Sequence, residues 1–201
     1  MKKQPPTRFS KIIFLLYTFL FSITIYSQVG IGTTSPTAML DIVSTNTGIP
    51  AFKITPQSDP VGSTTGQLAV IDDLLYMYDA TRGKWLSVES TSLQFGKNGS
   101  GDGVFMRFGG DVRNSGSGAL MPYNGTITAI TIKAKTGESS KEFQLKINGD
   151  TDTSFYLSSL EFRQTTTDID FISGDYINLK IASSGDAVEH ITAIIWVKWR
   201  K

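Results

Sequence analysis

The sequence predicts an all-β protein: a C-terminal jelly-roll β-sandwich, preceded by a small β-meander and a stalk rich in Gly, Thr and Pro. Three observations carry this. Apolar and polar residues alternate with a period of two through much of 91–201. Turn signals built on Gly, Asn and Asp separate those runs. Through 28–65, where Pro36, Pro50, Pro56 and Pro60 punctuate the chain, no helical period survives. Period-two patterning puts one face of a strand on a core and the other in water, and proline disrupts helices and central strands.

The first 27 residues read as a signal peptide. Lys2, Lys3, Arg8 and Lys11 form a basic start without an acid, and Ile12–Ile25 follows as an uncharged apolar run. Ser27 supplies a small residue for cleavage. That order matches an export leader, and the run is short of the ~20 apolar residues a spanning helix needs. The expected localisation is therefore extracellular or cell-surface. Removing the four basic residues of the leader leaves 15 basic against 18 acidic residues, a net charge of −3. A mildly acidic chain without a basic block argues against a nucleic-acid partner. No cysteine is present, so disulfides, zinc–cysteine sites and cysteine nucleophiles are excluded. Stability must come from a hydrophobic core or from assembly.

Segment 28–65 reads as the stalk, with short apolar islands at Met39–Val43 and Ala51–Ile54. Segment 66–90 reads as the small β module, with strands at Leu68–Ile71, Leu74–Tyr78 and Lys84–Val88. Segment 91–201 reads as the head, with about eight strands. Within it Phe143, Leu145 and Ile147 alternate with polar neighbours, as do Ile169 and Phe171, and Ile177, Leu179 and Ile181. Asn148-Gly149-Asp150 and Ser173-Gly174-Asp175 read as turns, and Gly96–Gly103 and Ser115–Gly118 as flexible loops. The last strand departs from simple alternation. Ile191, Ala193, Ile195, Val197 and Trp199 share one face, yet Ile194 and Trp196 occupy the other. A strand apolar on both sides is expected to be covered on both sides. Ile194 and Trp196 are therefore expected at a subunit interface, the alternative being cover from the chain's own loops.

Val29-Gly30-Ile31-Gly32-Thr33-Thr34-Ser35-Pro36, followed by Leu40-Asp41-Ile42, resembles the opening of many exported Bacteroidetes surface proteins and phage tail-fibre-like proteins. Leu74–Asp79 with Arg82-Gly83-Lys84-Trp85-Leu86-Ser87 resembles a small module of the same proteins. Met121-Pro122, Asn124–Thr128, Phe171–Asp175 and Ile194–Trp199 are similar to segments of their globular tips, trimeric jelly rolls of the tumour necrosis factor and complement-head type. The resemblance implies a homotrimeric, adhesin-like fibre tip whose partner is a surface glycan or a protein receptor.

Candidate chemistry is sparse. His190 is the single histidine, and a serine hydrolase needs a histidine base beside its nucleophile. A strand-edge histidine without catalytic duty fits better, so no catalytic residue is assigned and the chain is not expected to be an enzyme. Asp150 and Asp152, two apart, would share a strand face, as would Asp168 and Asp170. Carboxylates placed so suit calcium, with Asp150 and Asp152 the candidate ligands. Otherwise they shape a turn and a solvated strand face, and no cofactor is required. Tyr76, Tyr78, Trp85, Tyr123, Tyr156 and Tyr176 are aromatics able to stack on sugar rings or anchor a protein. Of these, Tyr123, Tyr156 and Tyr176 are the candidate ligand-binding residues. A carbohydrate-binding, lectin-like module is the alternative reading, and a secreted hydrolase a more remote one.

Overall fold

The computed structural model describes residues 28–110 and 114–201. The signal-peptide expectation falls on 1–27, outside the described residues. The described chain is all β-strand, turn and loop. It divides into two units, one ending at Lys53 and the other spanning Ile54–Lys201.

The first unit holds two short strands, β1 (Val29–Ile31) and β2 (Leu40–Ile42), paired in parallel with Val29 opposite Leu40. Thr37 donates to the Asp41 carboxylate from both its backbone N–H (2.8 Å) and its hydroxyl (3.0 Å), which closes the approach to β2. Gly32 sits at φ +76°, and a Cβ there would lie 2.1 Å from the Val43 carbonyl oxygen, so the position demands glycine. No residue from 28 to 53 is buried. Val29, Ile31, Met39, Leu40, Ile49 and Phe52 all stand exposed. An isolated two-stranded sheet is marginal in water, and this one has no core of its own.

The second unit opens with a meander, β3 (Leu68–Ile71), β4 (Leu74–Asp79) and β5 (Lys84–Ser87), antiparallel in chain order. These strands fall where the apolar islands place them. Ala69, Ile71 and Tyr76 form their buried cluster, with Leu74 and Trp85 packed on it.

Eleven further strands follow: β6 (Thr91–Gly101), β7 (Arg107–Phe108), β8 (Ala119–Leu120), β9 (Gly125–Lys133), β10 (Thr136–Gly137), β11 (Glu142–Ile147), β12 (Asp150–Tyr156), β13 (Glu161–Gln164), β14 (Ile169–Phe171), β15 (Tyr176–Ile181) and β16 (Val188–Trp199). A seven-stranded sheet runs β13-β9-β16-β6-β7, with β14 also on β9 and β10 also on β16. A four-stranded sheet runs β12-β11-β15-β8. Neither closes on itself. Both sheets feed one hydrophobic cluster: Phe95, Ile127, Ile130, Ile132, Ile191 and Ile195 from the larger sheet, and Phe143, Leu145, Phe155, Ile177, Leu179 and Ile181 from the smaller.

Where the sequence alternates cleanly, the strands are regular. Asn148 (φ +54°) and Gly149 (φ +87°) join β11 to β12 with Ile147 opposite Asp150. Two positive φ values in a two-residue hairpin are what an Asn-Gly pair favours. Where alternation slips by one residue, a bulge absorbs it. Ile127 and Ile130 are both buried because Trp196 faces Ala129 while Val197 faces Ile127, leaving Thr128 unpaired between them. Val188 and Ile191 are both buried because Asn98 and Gly99 together oppose His190. The bulge sets His190 at φ +50° and Gly99 at φ +66°.

One expectation is corrected. Gly96–Gly101 is not a flexible loop but the second half of β6, paired to β16 from Thr192 back to Val188. Strand propensity is weak there, but neighbouring strands and tight packing decide. A Cβ on Gly101 would lie 2.4 Å from Ile181 Cδ1, so glycine lets the two sheets approach.

Candidate functional site

The aromatics expected at the surface divide into two groups. Tyr76 is buried, and burial, reinforced by the nearby Asp72, pushes its phenol up. Tyr78 stacks edge-on against Trp85 at 5.3 Å, and Trp85 Nε1 donates to the Pro60 carbonyl at 2.8 Å. These three pack within the meander, Tyr76 buried and Tyr78 and Trp85 half-buried. Tyr176 donates its hydroxyl to the Ser115 carbonyl at 2.9 Å, which ties a loop to β15. Tyr123 is exposed but packs edge-on against Trp199 at 5.6 Å. Tyr156 stands 59% exposed at the end of β12. No ring contact brings Tyr123, Tyr156 and Tyr176 together.

Tyr156 borders a groove of about 420 Å³ between β12, an edge strand of the smaller sheet, and β13, an edge strand of the larger. Phe155 and Phe162, with centroids 4.9 Å apart, give it an apolar base. Thr153, Ser154, Gln164, Thr166 and Asp168 supply hydroxyl, amide and carboxylate groups around it. An aromatic ring beside closely set hydrogen-bonding groups is the chemistry that recognises a polyhydroxylated ring.

Asp168 and Asp170 are exposed, as a solvated strand face would have them, but they are not unpaired. Lys84 Nζ, reaching from β5, contacts a carboxylate oxygen of each at 2.7 Å. Thr126 donates to Asp170 at 2.6 Å, Arg200 Nε lies 3.5 Å from it, and Arg82 Nε donates to the Thr167 carbonyl at 3.1 Å. The meander is thereby anchored to β14 and its preceding loop. Burial raises the Asp170 carboxyl, but hydrogen bonds from Lys84 and Thr126 outweigh it and hold it below the usual carboxylate range. Burial likewise lowers the Lys84 ammonium, and its bonds to Asp168 and Asp170 win and hold it above the usual value. A depressed carboxylate contributes its stabilisation fully above the unfolded value, about 3.9, and loses it as pH falls through the folded one. Protection factors at the β4 and β5 amides should therefore stay level from neutrality to about pH 4 and fall below it. In Lys84→Met that acid dependence should flatten; an unchanged profile would remove Lys84 from the anchor.

Asp150 and Asp152 are both exposed and do not form a pair. Thr151 faces Lys146 and Thr153 faces Leu145, so Asp152 falls in a bulge of β12, out of step with Asp150. Neither carboxylate has a hydrogen bond or ion pair among the described residues, and no group of three metal-ligating side chains occurs among them. His190 is exposed at its bulge, without a hydrogen bond to a serine or threonine hydroxyl among the described residues.

On β16 the inward set is Ile191, Ala193, Ile195 and Val197, all buried. Ile194, opposite Gln94 and Thr131, is half-buried. Trp196, opposite Ser92 and Ala129, is 41% exposed on the outer face of the larger sheet. The chain's own loops therefore leave that indole partly open.

Sequence reasoning missed the Lys84 anchor because nothing local links Lys84 to Asp168. It also missed Lys141, whose side chain is 0% exposed. A lysine ahead of a strand carries no mark of burial in the sequence.

No protein-family model matches the chain, no curated protein matches it in sequence, and no solved structure matches it in fold. A functional reading therefore rests on the surfaces described above.

Proposed function

We propose that the protein is an extracellular, adhesin-like attachment subunit that works as a homotrimer, with 91–201 as a jelly-roll head and 28–65 as a stalk. The observation that supports this best is the apolar surface left open on one chain. No residue from 28 to 53 is buried, and Trp196 stands exposed in the middle of a sheet. Large exposed apolar patches mark interaction surfaces, and copies of the same chain covering Val29, Ile31, Met39, Leu40 and Trp196 would remove this apolar surface from water. The number three comes from the resemblance to tail-fibre-like heads. Attachment through three identical heads gains from effective concentration even where each contact is weak. Light scattering on the purified protein tests the assembly. Three times the chain mass is expected, and a stable monomer would overturn the reading.

The groove beside Tyr156 favours a second reading, a lectin-like module. Stacking of one aromatic ring contributes about 0.5–1.5 kcal/mol. Tyr156→Ala should therefore weaken binding of any sugar retained on a glycan array by roughly 2- to 10-fold. A glycan that binds the variant equally well would move recognition away from this groove.

A further inference from the structure

We propose a second ligand site, specific for an anionic saccharide residue such as a uronic acid, in the cleft between β6 and the strap 103–107. Lys97, Gly103, Val104, Phe105, Arg107 and Lys180 line a hollow of about 350 Å³. A second hollow, of about 540 Å³, shares Lys97 and Arg107 and extends along β6 to His190 on β16. Among the described residues neither hollow has a carboxylate in its lining.

Two lysines carry the argument. Lys84, Lys133, Lys141 and Lys201 each sit on a carboxylate. Among the described residues Lys97 and Lys180, like Lys146 and Lys198, do not, and of these only Lys97 and Lys180 line this hollow. Lys97 Nζ donates to the Asn98 carbonyl at 2.6 Å, which leaves two of its three N–H groups. Lys180 Nζ lies 5.8 Å from the centre of the Phe105 ring. Both residues are half-buried. Their partners are thus one carbonyl and one aromatic face, the first neutral and the second weak. Two half-buried ammonium groups with no carboxylate partner among the described residues lose hydration without a compensating charge, which an entering anion supplies.

The body of the ligand follows from the walls. Gly103, Val104 and Phe105 give the hollow apolar surface beside the charged groups, a lining suited to the ring of a sugar acid. A long polyanion is disfavoured, because residues 28–201 carry a net charge of −3 and no basic block in sequence. The site is separate from the groove at Tyr156 and shares no lining residue with it.

The test is a titration of the purified protein with glucuronate, glucose and inorganic sulfate, followed by calorimetry and by thermal midpoint. Glucuronate should bind and raise the midpoint in proportion to its occupancy, with glucose and sulfate at least about tenfold weaker. Lys97→Met and Lys180→Met keep the aliphatic stems and remove the charges. Each should weaken glucuronate by about 10- to 100-fold, the range for a lost charged hydrogen bond. Failure of glucuronate to bind would overturn the proposal. So would equal binding of glucose, equal binding of sulfate, or undiminished binding in both variants while their unliganded midpoints match the parent.

Discussion

Asp102→Ala should destabilise the protein by about 3 kcal/mol, the lower end of the range for stranding a buried charge. Lys141 Nζ is held by the Asp102 carboxylate at 2.6 Å and by the Ser184 carbonyl at 2.8 Å, and its side chain is wholly enclosed. Those contacts join three segments: the end of β6, the start of β11 and the loop before β16. Asp102 itself remains about half exposed, so solvent screens its side of the pair and the upper end of the range does not apply. Lys141→Met separates charge from shape. It removes the ammonium together with its need for a counter-charge, and similar replacements of buried ion pairs are often close to neutral. The expected order of urea midpoints is parent near Lys141→Met, both well above Asp102→Ala. An Asp102→Ala variant as stable as the parent would mean that the ammonium finds other acceptors.

If the proposed trimer forms through this face, Trp196→Asp should shift it to smaller species. Its indole lies on the outer face, away from the buried cluster that Ile195 and Val197 enter. A charge there leaves the core packing intact and places a carboxylate where a second copy would bury it. An unpaired charge in a closed interface costs several kcal/mol, enough to raise a dissociation constant by about a thousandfold or more. Light scattering should report a lower mass while far-UV circular dichroism keeps its β signature. A variant of unchanged mass would remove Trp196 from the interface. Ile194→Asp, on the same face and half-buried, should act in the same direction with some added loss of stability.

The parts of the fold that were legible are those whose cause is local. Phe143, Leu145 and Ile147, and again Ile177, Leu179 and Ile181, announce their strands by alternation, and nearly all are buried as expected. Asn148-Gly149 announces a hairpin because few other pairs accept two positive φ values. What escaped was set by distant partners. Gly96–Gly101 looked like a loop, and only β16 alongside makes it a strand. Tyr78 and Trp85 read as surface aromatics, and only Pro60 and their mutual stacking make them half-buried. Asp168 and Asp170 looked like a free pair until Lys84 arrived from another sheet. The candidate sites share that character. Tyr156 could be named from its sequence setting, but the Phe155–Phe162 base beneath its groove, and the hollow that Lys97 and Lys180 both line, depend on how two sheets are laid together.

The place of β16 has a consequence in time. It lies between β9 and β6 in the middle of the larger sheet, and it is the last of that sheet's strands to leave the ribosome. Until it arrives, β6 has only β7 for a neighbour and β9 only β13 and β14, each with one edge open. The sheet cannot zip up progressively from its first strand. It must wait and then receive its central member by insertion, a contact of long sequence separation and slow formation. Chains halted short of Val188 would hold two unsatisfied strand edges toward each other and toward any similar chain nearby, the circumstance in which β proteins aggregate.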